Sequence, residues 1–178
     1  KTLTDEELEQ KTGFKEWTVN NIIGHLHTWN IAADRSLTSD KEFANYVSVF
    51  SKEYSKRQKM RDFEEAFLEG RKGLDLIKLW QGFYPEMSER FKSAEPKKRV
   101  KWVGPDMSVR SSITARLMET WAHGQAIYDV LGIVRKNKDH IKNNAVLGNN
   151  TCNWCSTVHR KIIPSTITHF RLIPPPAQ

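Results

Sequence analysis

The sequence predicts a mainly α fold, with one helical domain over residues 1–135 and a short irregular or β extension over 136–178. Three observations carry that reading. Apolar side chains recur at three- and four-residue spacing through most of the chain up to Leu131, and helix-start signals precede the apolar runs. Only Thr166-Ile-Thr-His-Phe-Arg-Leu-Ile173, ahead of Pro174, alternates like a strand. A chain of 178 residues is long enough for one domain with a substantial core and too short for two of full size. Its 38% hydrophobic and 28% charged residues, with six tryptophans, give the composition of a globular protein and not of a disordered one.

The elements follow in order. Thr4-Asp-Glu-Glu7 is a capping box, so a short helix starts there and runs towards Lys11, before Gly13. Phe14 to Thr18 reads as a tight connection in which Trp17 staples the entrance to the next helix and Thr18 caps it. Val19, Ile22, Ile23, Leu26, Trp29 and Ala33 then recur at helical spacing, carrying that helix to Asp34 or Leu37. Another helix is expected from Lys41 to Tyr54, capped by Asp40, with Phe43, Tyr46, Val47 and Phe50 on its core side and a polar turn or loop after it. Asp62–Gly70 and Leu74–Lys92 read as helix, broken between Gly70 and Gly73, with Phe63, Phe67, Leu74, Ile77, Trp80 and Phe91 as core candidates. Pro85 is expected to kink the second of these or open an irregular turn. Ala94 to Arg99 is a loop and Trp102 to Ser108 a turn, which delivers Asp106 or Ser108 as N-cap of a long helix, Val109 to Leu131, stopped by Gly132. Asp139 to Ala145 has the pattern of a further short helix.

Charge and composition exclude some functions. A net charge of +7 and a pI near 9.4 admit nucleic acid as a partner. The lysines are nevertheless interleaved with acids, as in the run Lys52 to Glu65, which is the pattern of a solvated surface, so nucleic-acid binding is not the expectation. Its rival case rests on the densest basic cluster, Lys97-Lys98-Arg99 with Lys101, where Trp102 offers a ring for stacking. No apolar run approaches the roughly 18 residues of a membrane span, and the N-terminus lacks the apolar core of a signal peptide. A cytoplasmic protein is expected, with no membrane partner and with its first residues missing, since no Met opens the chain. Cys152 and Cys155, in Cys-x2-Cys-x3-His with His159, have the spacing of a zinc or redox pair, but no second Cys-x2-Cys completes it. They read either as such a pair or as ordinary semi-buried thiols.

The residues that carry chemistry centre on Arg116-Leu-Met-Glu-Thr-Trp-Ala-His123-Gly124. On a helix, Glu119 and His123 fall about 40° apart, one turn above each other, so their side chains can meet one small cation. Ser112, Ala115, Ala122 and Ala126 share that face and leave room beside the pair. On the earlier helix His25 borders the core face, while His27 lies about 160° away from it and serves some other surface. His25 is therefore the candidate for the site, its plain alternative being a hydrogen-bonded histidine at the core edge.

Taken together, Trp17-Thr-Val-Asn-Asn-Ile-Ile-Gly-His25-Leu26, Trp102-Val-Gly-Pro-Asp-Met-Ser108 and Arg116 to Gln125 resemble the DinB-like, mycothiol-dependent maleylpyruvate isomerase N-terminal family, most nearly its branch described only as metal-binding. The resemblance covers residues 14 to 133. It implies a four-helix bundle that holds one metal on a histidine of an early helix and a Glu-xxx-His pair of a late one, which here are His25, Glu119 and His123. Two imidazoles and one carboxylate leave a coordination position open, as in a reactive site. Zinc is the first expectation for the ion, with nickel, iron and manganese as alternatives. A low-molecular-weight thiol is the implied co-reactant, and a thiol-dependent isomerase or S-transferase acting on a small electrophile the implied activity. The rival is a non-catalytic bundle that binds metal or ligand for sequestration or partner binding. Arg116, about 60° from Glu119 on the helix wheel, is the candidate to meet the acidic end of a thiol or substrate, against the plainer reading of an exposed Arg–carboxylate pair. Asp129 and His140 are candidates to orient a ligand imidazole. In the isomerases a second domain follows the bundle, and residues 150–178 read as the beginning of one or as a short tail. Aromatic-rich helices such as Phe43 to Tyr54 also suit a homodimer.

Overall fold

A computed structural model describes residues 2–57, 60–136 and 138–148. Cys152, Cys155, His159 and the strand expected at Thr166–Ile173 lie outside the described residues. The chain divides into two units after Lys136. The first is mainly α: α1 (Asp5–Leu8), α2 (Val19–Thr38), α3 (Asp40–Arg57), α4 (Met60–Phe67), α5 (Gly73–Ser93) and α6 (Val109–Val130), with a two-stranded ribbon, β1 (Arg99–Val100) and β2 (Met107–Ser108), before α6. The described part of the second unit is a 3-10 turn, Asp139–Ile141, running into helix at 142–148. No helix among the described residues is long and apolar enough to cross a membrane.

Helix α2 is the axis of the bundle and packs against α3, α4, α5 and α6. Its sequence explains why: Val19, Ile22, Ile23, Leu26, Trp29, Ala32, Ala33 and Leu37 are all buried, covering more than one face. Three apolar clusters share it. Leu8, Val19, Ile23, Leu68 and Leu76 close one end, and Ala33, Leu37, Met87, Phe91, Val100 and Val109 close the other. Between them Trp29 and Ala32 meet Phe43, Tyr46 and Phe63 in an aromatic cluster that fastens α3 and α4 to α2. Gly24 permits the closest approach, since a Cβ there would sit 3.1 Å from Leu68 Cδ1. Thr18 caps α2 by accepting from Asn21 N–H at 3.1 Å, and Asn21 returns the bond to Thr18 N–H.

Several expectations are corrected. Pro85 opens no irregular turn: α5 runs through it, with Pro85 on the exposed side, where the Gln81 carbonyl it leaves without an amide can turn to water. Leu74 is 40% exposed whereas Leu76 is buried, since α5 begins at Gly73 and turns Leu76, two residues on, towards the core. Helix α3 starts at Asp40 itself, and the group that accepts from its first turn is Ser39 Oγ. Residues read as a loop and a turn form the β1–β2 ribbon, which pairs Arg99 with Ser108 and Val100 with Met107. The ribbon places Ser108 as the cap of α6, accepting from Ser111 N–H at 3.1 Å.

Candidate metal centre

The first turns of α2 and the middle of α6 lie side by side, and His25, Glu119 and His123 project into the seam between them. The helical period brings Glu119 and His123 together, with His123 Nε2 3.1 Å from Glu119 Oε2. The packing of α2 brings in the third donor: His25 Nε2 is 3.6 Å from the same oxygen. One donor atom from each residue lies within 4.8 Å of the others. Two atoms bound at about 2.1 Å to a tetrahedral ion are about 3.4 Å apart, so the carboxylate–imidazole separations match what a single zinc-like ion requires. The imidazoles are 13% exposed and Glu119 30%, which leaves the carboxylate side as the open approach.

Behind His25 stands Glu64 of α4. Its Oε1 is 2.7 Å from His25 Nδ1 and accepts the Trp29 indole N–H at 2.9 Å. Burial alone would push the His25 imidazolium towards losing its proton, but the Glu119 carboxylate beside it and the hydrogen-bonded Glu64 carboxylate outweigh it, so its pKa is raised. The hydrogen bond with His123, the His25 ring close by and the charge of Arg116 behind them hold the Glu119 carboxyl well below the usual carboxylate range despite its partial burial. Glu119 is an anion at any working pH.

Aromatic rings wall the other side. Phe14 stands edge-on to His123 at 4.8 Å, and Trp17 lies parallel to His123 at 6.1 Å and edge-on to His25 at 5.3 Å. The turn that carries them is closed by Thr12, whose N–H and hydroxyl both donate to Trp17 C=O. Lys15 and Glu16 inside it have φ of 50° and 57°, the left-handed region.

The profile of the mycothiol maleylpyruvate isomerase N-terminal domain matches residues 1–128. The chain belongs to that family. Two uncharacterized proteins of Mycobacterium tuberculosis, one from strain CDC 1551 / Oshkosh and one from strain H37Rv, are each 29% identical to it over 149 residues, 84% of this chain. The chain spans 57% of the length of these relatives. No solved structure matches it significantly. The family match takes in both helices of the seam, α2 and the part of α6 that bears Glu119 and His123.

The remaining sequence candidates differ in their distance from the seam, and Arg116 lies behind Glu119. Arg116 is buried, not exposed, at 6% exposure; its Nε donates to Asn30 Oδ1 at 3.1 Å, and its Nη2 has no partner among the described residues. Burial brings its pKa down to about 10. Asp129 is exposed and accepts from Gln125 at 2.8 Å, so it orients neither imidazole. The His140 side chain lies outside the described set. His27 faces away from the seam, buried edge-on against Phe83. In the basic cluster Lys98 donates to Leu37 C=O, Lys101 pairs with Asp106, and the Trp102 ring stacks on Phe43 inside the protein, where no base can reach that face. Phe43 and Tyr46, whose helix suited a dimer face, are buried within the chain.

Glu64 is the site residue that sequence reasoning missed. A signal was present: Met60, Phe63, Glu64 and Phe67 occupy positions i, i+3, i+4 and i+7, so one carboxylate stands in a stripe otherwise apolar.

Proposed function

We propose that His25, Glu119 and His123 bind one divalent transition ion, zinc in first place, in a thiol-dependent isomerase or S-transferase acting on a small electrophile. The observation that carries this reading is the convergence of two imidazoles on one carboxylate, at 3.1 and 3.6 Å, in a chain of the mycothiol maleylpyruvate isomerase N-terminal family. Nickel, iron or manganese suit the same donors, and availability decides among them. A bound ion would supply the positive charge that lowers the pKa of an entering thiol and so raises its thiolate fraction.

The rest is done by the chain. Glu119 contributes the negative charge that holds a cation between two neutral imidazoles. Phe14 and Trp17 keep water from the closed side of the seam and present an apolar wall to the carbon skeleton of a substrate. Arg116, electrostatically coupled to Glu119, keeps a guanidinium nitrogen in reserve for an anionic group of the thiol or substrate. The cytoplasm, where small thiols stay reduced, is the compartment that suits such chemistry.

The test is elemental analysis of the purified protein beside His123→Ala. About one equivalent of a transition metal, lost in the variant, is the expected result. Turnover of thiol conjugates by the loaded protein then separates the enzyme from a bundle that only sequesters metal or ligand. Absence of metal in both proteins after reconstitution would end the reading.

A further inference from the structure

We infer that Glu64 is the positioning residue of this centre: a buried carboxylate behind His25 that fixes which imidazole nitrogen faces Glu119. The inference rests on the metal reading of the trio, but its geometry is independent of any ion. Glu64 and Trp29 are 3% and 6% exposed, and a single oxygen, Glu64 Oε1, serves both the His25 Nδ1 contact at 2.7 Å and the Trp29 N–H at 2.9 Å. An ionised carboxylate only accepts, so His25 meets it with Nδ1–H and keeps the lone pair on Nε2. Nε2 is the atom on the Glu119 side. The opposite tautomer would aim a proton where a cation has to bind, and would leave two acceptors facing each other across 2.7 Å, a closer clash than the 3.6 Å between the Nε2 lone pair and Glu119 Oε2 when no ion lies between them.

The placement of Glu64 does not look accidental on energetic grounds. A buried carboxylate is costly unless it is paired or hydrogen-bonded, and among the described residues the ionic partner of Glu64 is His25. Helix α4 is pinned on both sides of it, by Phe63 against Tyr46 and Phe50, and by Phe67 against Tyr46. The carboxylate therefore has little freedom to follow a tilting imidazole; it makes the imidazole follow. Loss of a carboxylate behind a ligating histidine typically weakens metal affinity by about 10–100-fold.

The test uses the full chain with zinc alone, its affinity measured by competition with a chelator, for wild type, Glu64→Gln and Glu64→Ala. In parallel, long-range 1H–15N NMR of the zinc-free chain at alkaline pH reads the His25 tautomer. Expected are losses of affinity of about 10-fold for Glu64→Gln and about 100-fold for Glu64→Ala, with helical circular dichroism kept in Glu64→Gln. His25 should hold Nδ1–H in the wild type and lose that preference in Glu64→Ala. If Glu64→Ala does not fold, the near-isosteric Gln variant decides. Affinity of Glu64→Gln within about twofold of wild type, or an Nε2–H tautomer in the wild type, overturns the inference. A wild-type chain that binds no zinc overturns the metal reading instead, and the tautomer then decides the role of Glu64 on its own: Nδ1–H upholds it and Nε2–H ends it.

Discussion

His27 should make the protein's stability depend on pH in a way that one substitution removes. Its side chain is 1% exposed, lies edge-on to Phe83 with centroids 5.3 Å apart, and has Nδ1 without a hydrogen-bond partner among the described residues. Burial, with the charge of Arg71 second, lowers its pKa from 6.5 to about 4. Between those values the unfolded chain takes up a proton here that the native chain refuses. Stability from this group is therefore complete above about pH 6.5 and is lost as pH falls through about 4. At 1.36 kcal/mol per unit, the part lost between about pH 7.5 and pH 4.5 is about 2.5 kcal/mol. Glu119, with its lowered pKa, loses stability in the same direction, and His25, with its raised one, in the opposite direction, but both are shared by wild type and His27→Leu and cancel in the comparison. Urea unfolding of both proteins at the two pH values, with a chelator present, should show their stability difference moving by about 2.5 kcal/mol in favour of the variant at the lower pH. A difference that stays constant to within about 0.5 kcal/mol would mean that His27 is not held neutral, and the argument from burial would fail.

Other substitutions test the frame around the site. Ser108→Ala removes the hydroxyl that caps α6 and should cost about 1 kcal/mol, a fall in Tm of about 2–4 °C by scanning calorimetry. Phe63→Ala empties a position 1% exposed and should cost about 3–5 kcal/mol in urea unfolding; because Glu64 follows it, zinc affinity by equilibrium dialysis should fall in the same variant. Gly24→Val drives a branched side chain onto Leu68 and should destabilise by about 1–3 kcal/mol. In Gly24→Ala the single Cβ, 3.1 Å from a movable Leu68 methyl, is offset by a helix-propensity gain of about 1 kcal/mol, so chemical denaturation should find it close to wild type.

Legibility from sequence tracked the distance along the chain over which each feature is decided. Glu119 and His123 are one helical turn apart, and the helical period alone unites them. The caps at Thr4, Thr18 and Ser108 are equally local and stand where the sequence places them. His25 was readable as bordering the core, but its meeting with residues 94 and 98 positions further on depends on how α2 packs against α6, which only the family resemblance supplied. Glu64 was hidden because it belongs to a stretch, Arg61-Asp-Phe-Glu-Glu65, whose charges resemble a solvated surface, and because its partner is 39 residues away. The burial of Arg116 was hidden for a related reason. A guanidinium on a polar helix face looks exposed until Asn30 of α2 is known to lie against it. Pro85 shows the converse, a local signal for an irregular turn overridden because the bond it removes faces solvent.

The turn over the site has a mechanical meaning. Two residues with ordinary side chains, Lys15 and Glu16, are bent into the left-handed region, at a cost of about 1–2 kcal/mol each. The Thr12 hydrogen bonds and the contacts of Phe14 and Trp17 with the imidazoles keep them there. The segment is thus a sprung latch whose catch is the site itself. That load sits on the closed side of the seam, away from the open approach beside Glu119, so a ligand entering there need not part the rings from the histidines.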